Sequence, residues 1–283
     1  IYRNKSDRAN FLFEGPTNFS TAQSPTFVAM SDLDGDDKLD IVIATSSGAT
    51  SICRNTGVAG RIDSASFAPR IEIATGGTCV AIGDLDGDGK PDLAIANGGV
   101  SILANTSSTG AISFSARVDF TTGSGGRSVT ISDLDGDGKV DLAVANESSG
   151  TVSVLKNVSS VGAITSSSFA GKVDFSTGQS PLVIAAADLD GDGRTDLLSN
   201  GTGGGGTSAL KNSARGTQSV TFGTLANKTF GDASFTVSAS ASSGLSVTIS
   251  IASGPATIAG NTVTITGAGT VTVRASQAGD NNF

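Results

Sequence analysis

The chain has 283 residues, a formal net charge of −8, no histidine, no tryptophan, one tyrosine and 38 glycines. The missing imidazole removes Ser-His-Asp triads, Cys-His dyads, imidazole zinc sites and histidine general bases together. An acidic chain without a basic stripe is no partner for a nucleic-acid backbone, and no apolar run exceeds the six residues Leu182 to Ala187, so nothing in the sequence spans a bilayer.

In chain order, the sequence opens on Ile1–Asn4 and a looser Phe13…Phe19 stretch, which are the third and fourth strands of one repeat. Three complete repeats and most of another follow, four strands to each. The first strand alternates, as in Val80–Gly83 and Val129–Ser132, and so does the second, as in Leu93–Ala96 and Leu142–Ala145. The third ends in Asn five times, at Asn4, Asn55, Asn105, Asn157 and Asn212. The fourth runs Phe67…Ile73, Phe114…Phe120 and Phe169…Phe175. Period-two stretches rich in Val, Ile and Phe, separated by Gly, Ser, Thr and Asn, are strand chemistry. Four strands every ~50 residues describe β-propeller blades better than a stacked solenoid, whose turns are shorter. The tally is 17 strands, and an open arc exposes two sheet edges, so the chain is expected to be a segment of a larger propeller.

Between the first and second strands of each repeat lies a nine-residue loop, and their starts are 52, 49 and 55 residues apart. The aspartates stand at positions 1, 3, 5 and 9: Asp32, Asp34, Asp36 and Asp40; Asp84, Asp86, Asp88 and Asp92; Asp133, Asp135, Asp137 and Asp141; Asp188, Asp190, Asp192 and Asp196. Glycine at position 4 takes φ > 0 without steric cost and curls positions 1, 3 and 5 toward one centre. Position 9 begins the next strand and folds back onto the same point. Four gathered carboxylates repel one another by about 1 kcal/mol per close pair in water, so the pattern calls for a cation. All-oxygen ligands in an irregular loop suit Ca²⁺, about one per loop and up to four, rather than Mg²⁺, zinc or copper. The fifth ligand is the backbone carbonyl at position 7, from Lys38, Lys90, Lys139 and Arg194, whose side chains are expected to point to solvent. An Asp-Gly hairpin turn without metal is the bland alternative. An EF-hand is excluded, because position 12 is Ile43, Ile95, Val144 and Ser199 instead of glutamate. Asp37 replaces glycine at position 6 of the first loop and is either a solvated turn residue or a perturbation of that site.

The loops and their flanking strands resemble the FG-GAP/VCBS repeats of calcium-binding β-propellers, a family that includes the integrin α-subunit head. The resemblance covers residues 1–215. It implies that Ca²⁺ is held on one rim of the propeller by Asp84, Asp86, Asp88, Asp92 and their equivalents. From 216 to 283 only Lys228, Asp232, Arg274 and Asp280 are charged, and the loops disappear. Alternating runs at Ser219–Phe222, Phe235–Ser238, Val247–Ile251, Thr262–Thr266 and Thr270–Ala275, separated by glycine turns, read as a small antiparallel sandwich lacking its last strand. This part resembles the Ig-like modules of large bacterial surface and secreted proteins, through stretches such as Gly267–Val273.

Among weaker signals, Gly201–Gly206 matches G-x-G-x-x-G but reads as a hairpin turn, since no helix follows. The two cysteines are expected to be small core residues rather than a disulfide framework. The reading is therefore an all-β, non-catalytic, calcium-binding module of a secreted or cell-surface bacterial protein, serving adhesion, display or interaction with an extracellular protein or glycan. The alternative is the propeller portion of a polysaccharide lyase or hydrolase. Against that, the acids outside the loops form no evident pair, and a general acid/base pair is hard to staff without histidine.

Overall fold

A computed structural model of the chain describes all residues except 7–9, 178–179, 203–205, 214–217 and 280–283. The chain divides into two compact units, Ile1–Asn212 and Ser213–Phe283. The domain boundary expected at 215/216 falls outside the described residues.

The period-two stretches of the first unit all become strands. A short pair, β1 (Arg3–Asn4) and β2 (Phe13–Glu14), is followed by three four-stranded antiparallel sheets in sequence order. These are β3 (Pro25–Ser31), β4 (Asp40–Thr45), β5 (Thr50–Cys53) and β6 (Ile71–Ile73); β7 (Cys79–Gly83), β8 (Asp92–Ala96), β9 (Val100–Leu103) and β10 (Val118–Phe120); and β11 (Gly126–Ser132), β12 (Asp141–Asn146), β13 (Thr151–Leu155) and β14 (Val173–Ser176). A three-stranded sheet ends the row: β15 (Ser180–Ala187), β16 (Asp196–Thr202) and β17 (Thr207–Leu210). The first strands β3, β7, β11 and β15 lie side by side, so each sheet packs face to face on the next. Among the described residues no strand pairing closes the row into a ring.

This stacking explains why the second strands are apolar on both faces. Along β8, Leu93 and Ile95 pack back against Leu33, Val42, Ala44 and Ile52 of the preceding repeat. Their neighbours Ala94 and Ala96 pack forward against Val129, Leu142 and Val144. In β12, Leu142 and Val144 face back while Ala143 and Ala145 face forward, against Ile184 and Leu197. A large back face meeting a small front face lets sheets approach closely without voids. The apolar alternation is more exposed in the first and last sheets of the row. Val28 and Met30 of β3 and Leu198 of β16 are exposed.

The fourth strands are shorter than their sequence runs. Phe67, Phe114 and Phe169 form single bridges to Asn55, Asn105 and Asn157, and the regular strands β6, β10 and β14 begin only afterwards. Gly201 N–H donates to the Gly206 carbonyl, as in a hairpin, although residues 203–205 of that glycine run lie outside the described set. Cys53 and Cys79 are buried free thiols, and burial pushes the Cys53 thiol up.

In the second unit the strands are β18 (Val220–Phe222), β19 (Phe235–Thr236), β20 (Ala239–Ala241), β21 (Thr248–Ser253), β22 (Ala256–Ala259), β23 (Thr262–Ile265) and β24 (Thr272–Ser276). They pair as β18–β20, β19–β23–β22 and β21–β24 around Val237, Ile249 and Val263. Two strands, β20 and β22, are absent from the sequence-based expectation. Both are alanine-flanked and of low intrinsic strand preference, and they form because a partner strand accepts them.

Candidate metal centres

Each aspartate loop is shaped by its own carboxylates. The first aspartate folds over the turn as an acceptor of backbone amides. In the second repeat, Gly87 and Asp88 donate to Asp84 Oδ1 at 2.7 and 3.1 Å, and Gly89 donates to Oδ2 at 2.9 Å. Asp32 and Asp188 receive the equivalent three amides, and Asp133 receives those of Gly136 and Gly138. This wrapping requires left-handed backbone twice. Position 4 has φ of 73° to 78° at Gly35, Gly87, Gly136 and Gly191. Position 6 has φ of 83° to 86° at Gly89, Gly138 and Gly193, and Asp37 adopts 64° in the first loop. Asp37 is therefore a turn residue in an αL position that usually belongs to glycine.

The ninth-position carboxylates are sunk into the base of the loop. Asp92 is fully buried, accepting the Leu85 amide at 2.8 Å and the Asn105 amide at 2.7 Å. Asp40, Asp141 and Asp196 repeat the same pair of bonds with Leu33 and Asn55, Leu134 and Asn157, and Leu189 and Asn212. Burial pushes the Asp92 carboxyl up to about 6, against those two amides and with help from Asp86 and Asp88. Burial raises Asp40 and Asp141 as well.

Three carboxylates converge in every loop, with one oxygen from each within 4.8 Å of the others. In the last three loops these come from positions 1, 3 and 9: Asp84, Asp86 and Asp92; Asp133, Asp135 and Asp141; Asp188, Asp190 and Asp196. In the first loop they are Asp32, Asp34 and Asp36. The expected fourth carboxylate stands outside each group. Asp88, Asp137 and Asp192 accept the amide of position 7 at 2.8 to 3.0 Å, a bond that Asp36 also makes, and Asp40 is held by its two base amides. Asp34 Oδ1 is buried without a hydrogen-bond partner. An uncompensated buried carboxylate oxygen is costly, and it belongs to a member of the converging group. An all-carboxylate set with an orphaned oxygen fits a hard divalent cation. The clusters could hold a metal ion.

The position-7 side chains depart from the sequence expectation that they point to solvent. Lys90 Nζ donates to the Ser107 carbonyl at 3.0 Å, Lys139 Nζ to Ser159 at 2.7 Å, and Arg194 Nε to Asn212 at 3.0 Å. Lys38 Nζ lies 3.4 Å from Asp36 Oδ2. The long stems fold back because carbonyls of the hairpin beyond the third strand are within reach.

Comparison with known families matches the FG-GAP-like repeat three times, at residues 32–95, 84–144 and 133–199. The chain belongs to the FG-GAP-like repeat family. Each match runs from one aspartate loop into the second strand after the next loop, so the FG-GAP-like unit holds two loops and the stacked sheet face between them. No curated protein matches the chain. Among solved structures, BBS1N in complex with ARL6DN, soaked with mercury, is 19% identical over 68% of this chain and 54% of that one, with a TM-score of 0.41. The V. cholerae biofilm matrix protein Bap1 is 15% identical over 89% of this chain and 41% of that one, with a TM-score of 0.39. The chain thus spans about half the length of these solved chains or less.

The asparagines that end the third strands tie the FG-GAP-like repeats together. Asn105 Nδ2 donates to the Leu33 carbonyl of the preceding loop and to Pro91, both at 2.9 Å. Asn157 does the same to Leu85 and Val140, and Asn212 to Leu134 and Thr195. These bonds set all the loops along one edge of the row. The Asn recurrence was visible in the sequence, but nothing local marks its acceptor.

Proposed function

We propose that this chain is a non-catalytic calcium-binding repeat module of a secreted or cell-surface protein. Its FG-GAP-like repeats serve as blades of a larger β-propeller, and its second unit as an Ig-like spacer. The observation that carries the reading is the convergence of three carboxylates in each of four loops, one of them with a buried orphan oxygen. Calcium is favoured over smaller ions because it tolerates irregular oxygen cages of high ligand number. The carbonyls of Lys38, Lys90, Lys139 and Arg194, with Asp40 in the first loop and Asp88, Asp137 and Asp192 in the others, stand close enough in sequence to complete those cages as the loops close. Bound calcium would supply the positive charge that the clustered carboxylates lack. Sites of this open kind fit extracellular calcium, where Kd values of ~10⁻⁴–10⁻³ M are filled. Side-by-side first strands and the large-to-small taper of the second strands support the propeller reading.

Support for a non-catalytic role comes from the acids outside the loops. Glu72, Asp119 and Asp174 occupy equivalent places on the fourth strands, each hydrogen-bonded to a third-strand serine and paired with Arg70, Arg117 or Lys172. They recur with the repeat and are individually neutralised. The partner we infer is an extracellular protein or glycan.

The test is a pair of melting curves of the first unit, with millimolar calcium and with a chelator. At tenfold excess over Kd each independent site stabilises the fold by ~1.4 kcal/mol, or ~6 kcal/mol for four. The second unit, without aspartate loops, should melt alike in both buffers. Equal melting of the first unit in both conditions would leave the loops as ordinary turns.

A further inference from the structure

The four loops are not equivalent, and the difference lies one residue before the linking asparagine. That position is Arg54, Ala104, Lys156 and Lys211 in successive repeats, directly after β5, β9, β13 and β17. Arg54 Nη1 stands 3.6 Å from Asp34 Oδ2 in the first loop. Lys156 Nζ pairs with Asp135 and lies 3.1 Å from Asp137 Oδ2 in the third. Lys211 Nζ pairs with Asp190 and lies 3.5 Å from Asp192 Oδ2 in the fourth. In each case the cation engages the third-position carboxylate, a member of the converging group. Ala104 has no charge and no reach. Among the described residues, no ion pair touches Asp84, Asp86, Asp88 or Asp92, and the lysine of that loop is spent on the Ser107 carbonyl.

We propose that the loop Asp84–Asp92 is the high-affinity divalent-cation site of the chain, and that Arg54, Lys156 and Lys211 are tethered counter-cations that weaken the other three. This rests on the reading of the loops as metal centres. An incoming ion must bind a carboxylate that the tethered cation already engages, so it must either displace that cation or bind beside a positive charge. The tethered groups are partly exposed and screened, which limits the penalty to about fivefold in affinity, the scale of a surface ion pair. The same pairing offsets part of the negative charge of the three weaker loops when metal is scarce. The second loop has no such substitute and takes the first ion.

The experiment is a calorimetric titration of the whole chain with calcium chloride. One ion should bind about fivefold more tightly than the rest. Ala104→Lys should move that ion into the weak class, whereas Ala104→Gln, similar in bulk but uncharged, should leave it tight. Lys156→Met should create a second tight site, and this variant decides the matter if Ala104→Lys does not fold by its metal-free melting curve. Four equal sites in the parent chain, or isotherms unchanged by both charge variants, would overturn the ranking while leaving the metal reading intact. No binding heat and no calcium-dependent melting shift in any protein would overturn both.

Discussion

The bond between neighbouring repeats can be weighed by removing one asparagine side chain. Asn105 is nearly fully buried. Its Nδ2 satisfies the carbonyls of Leu33 and Pro91, and its Oδ1 accepts the Ser107 amide at 2.8 Å. Asn105→Ala keeps the backbone amide that reaches Asp92 but leaves two carbonyls and one N–H without partners. At ~1–3 kcal/mol for each buried group left unpaired, and with partial rescue by water, the loss should be about 3 kcal/mol. Asn55 supplies the control. It is half-buried, and among the described residues its Nδ2 reaches Leu39 at 3.1 Å within its own repeat and no carbonyl of another aspartate loop. Asn55→Ala should therefore cost about 1 kcal/mol. Urea unfolding of the two variants, followed by strand circular dichroism, reads the ~2 kcal/mol difference directly as a shift of midpoint at constant slope. Equal losses would mean that the contact across repeats adds nothing, and that the asparagine serves only the turn of its own repeat.

Other outcomes follow from the same geometry. In metal-free buffer, Asp92, whose folded value stands at about 6, binds its proton more tightly folded than unfolded. Its contribution is thus present below pH ~4 and is lost as pH rises to about 6, so the melting temperature should fall over that range. Saturating calcium should reverse the slope, because cation and proton compete for the same oxygen; a flat metal-free profile would show that burial of Asp92 costs nothing. Asp37→Gly relieves a left-handed non-glycine residue and should stabilise the metal-free chain by about 1 kcal/mol, measured by denaturant midpoint. Gly77→Ala should be severely destabilising, since a Cβ there would stand 2.5 Å from Ile95 Cγ2 and closer still to the Ala96 carbonyl. Retention of the parent melting temperature in that variant would show that β7 and β8 can part more easily than their register implies.

The repeat and its loops were legible because they depend on local rules. Period-two apolar stretches locate the strands, and Asp-x-Asp-Gly announces the turn at position 4. The second left-handed position was equally local, yet Asp37 obscured it by standing where the other copies carry glycine. What the sequence could not show is how each carboxylate is spent. Positions 5 and 9 look interchangeable as ligands, but position 5 accepts a local amide, whereas position 9 is anchored by the amide of an asparagine 13 to 16 residues away and in three loops still joins the converging group. The roles of Arg54, Lys156 and Lys211 were hidden for the same reason. They follow a strand whose register places them over a loop from earlier in the chain. In the second unit, β20 and β22 exist through their partners rather than through their own composition.

The asparagine links also set an order in time. Leu33 waits for Asn105, Leu85 for Asn157 and Leu134 for Asn212, separations of 72, 72 and 78 residues. A chain that emerges from its N-terminus, through a ribosome or a membrane pore, leaves every loop unfinished until the next repeat has appeared behind it. Each newly completed loop is therefore the one before last, and the row matures with a constant lag of one repeat. A stall during emergence would leave one raw loop at the trailing end, with its aspartates gathered but its clamp not yet made.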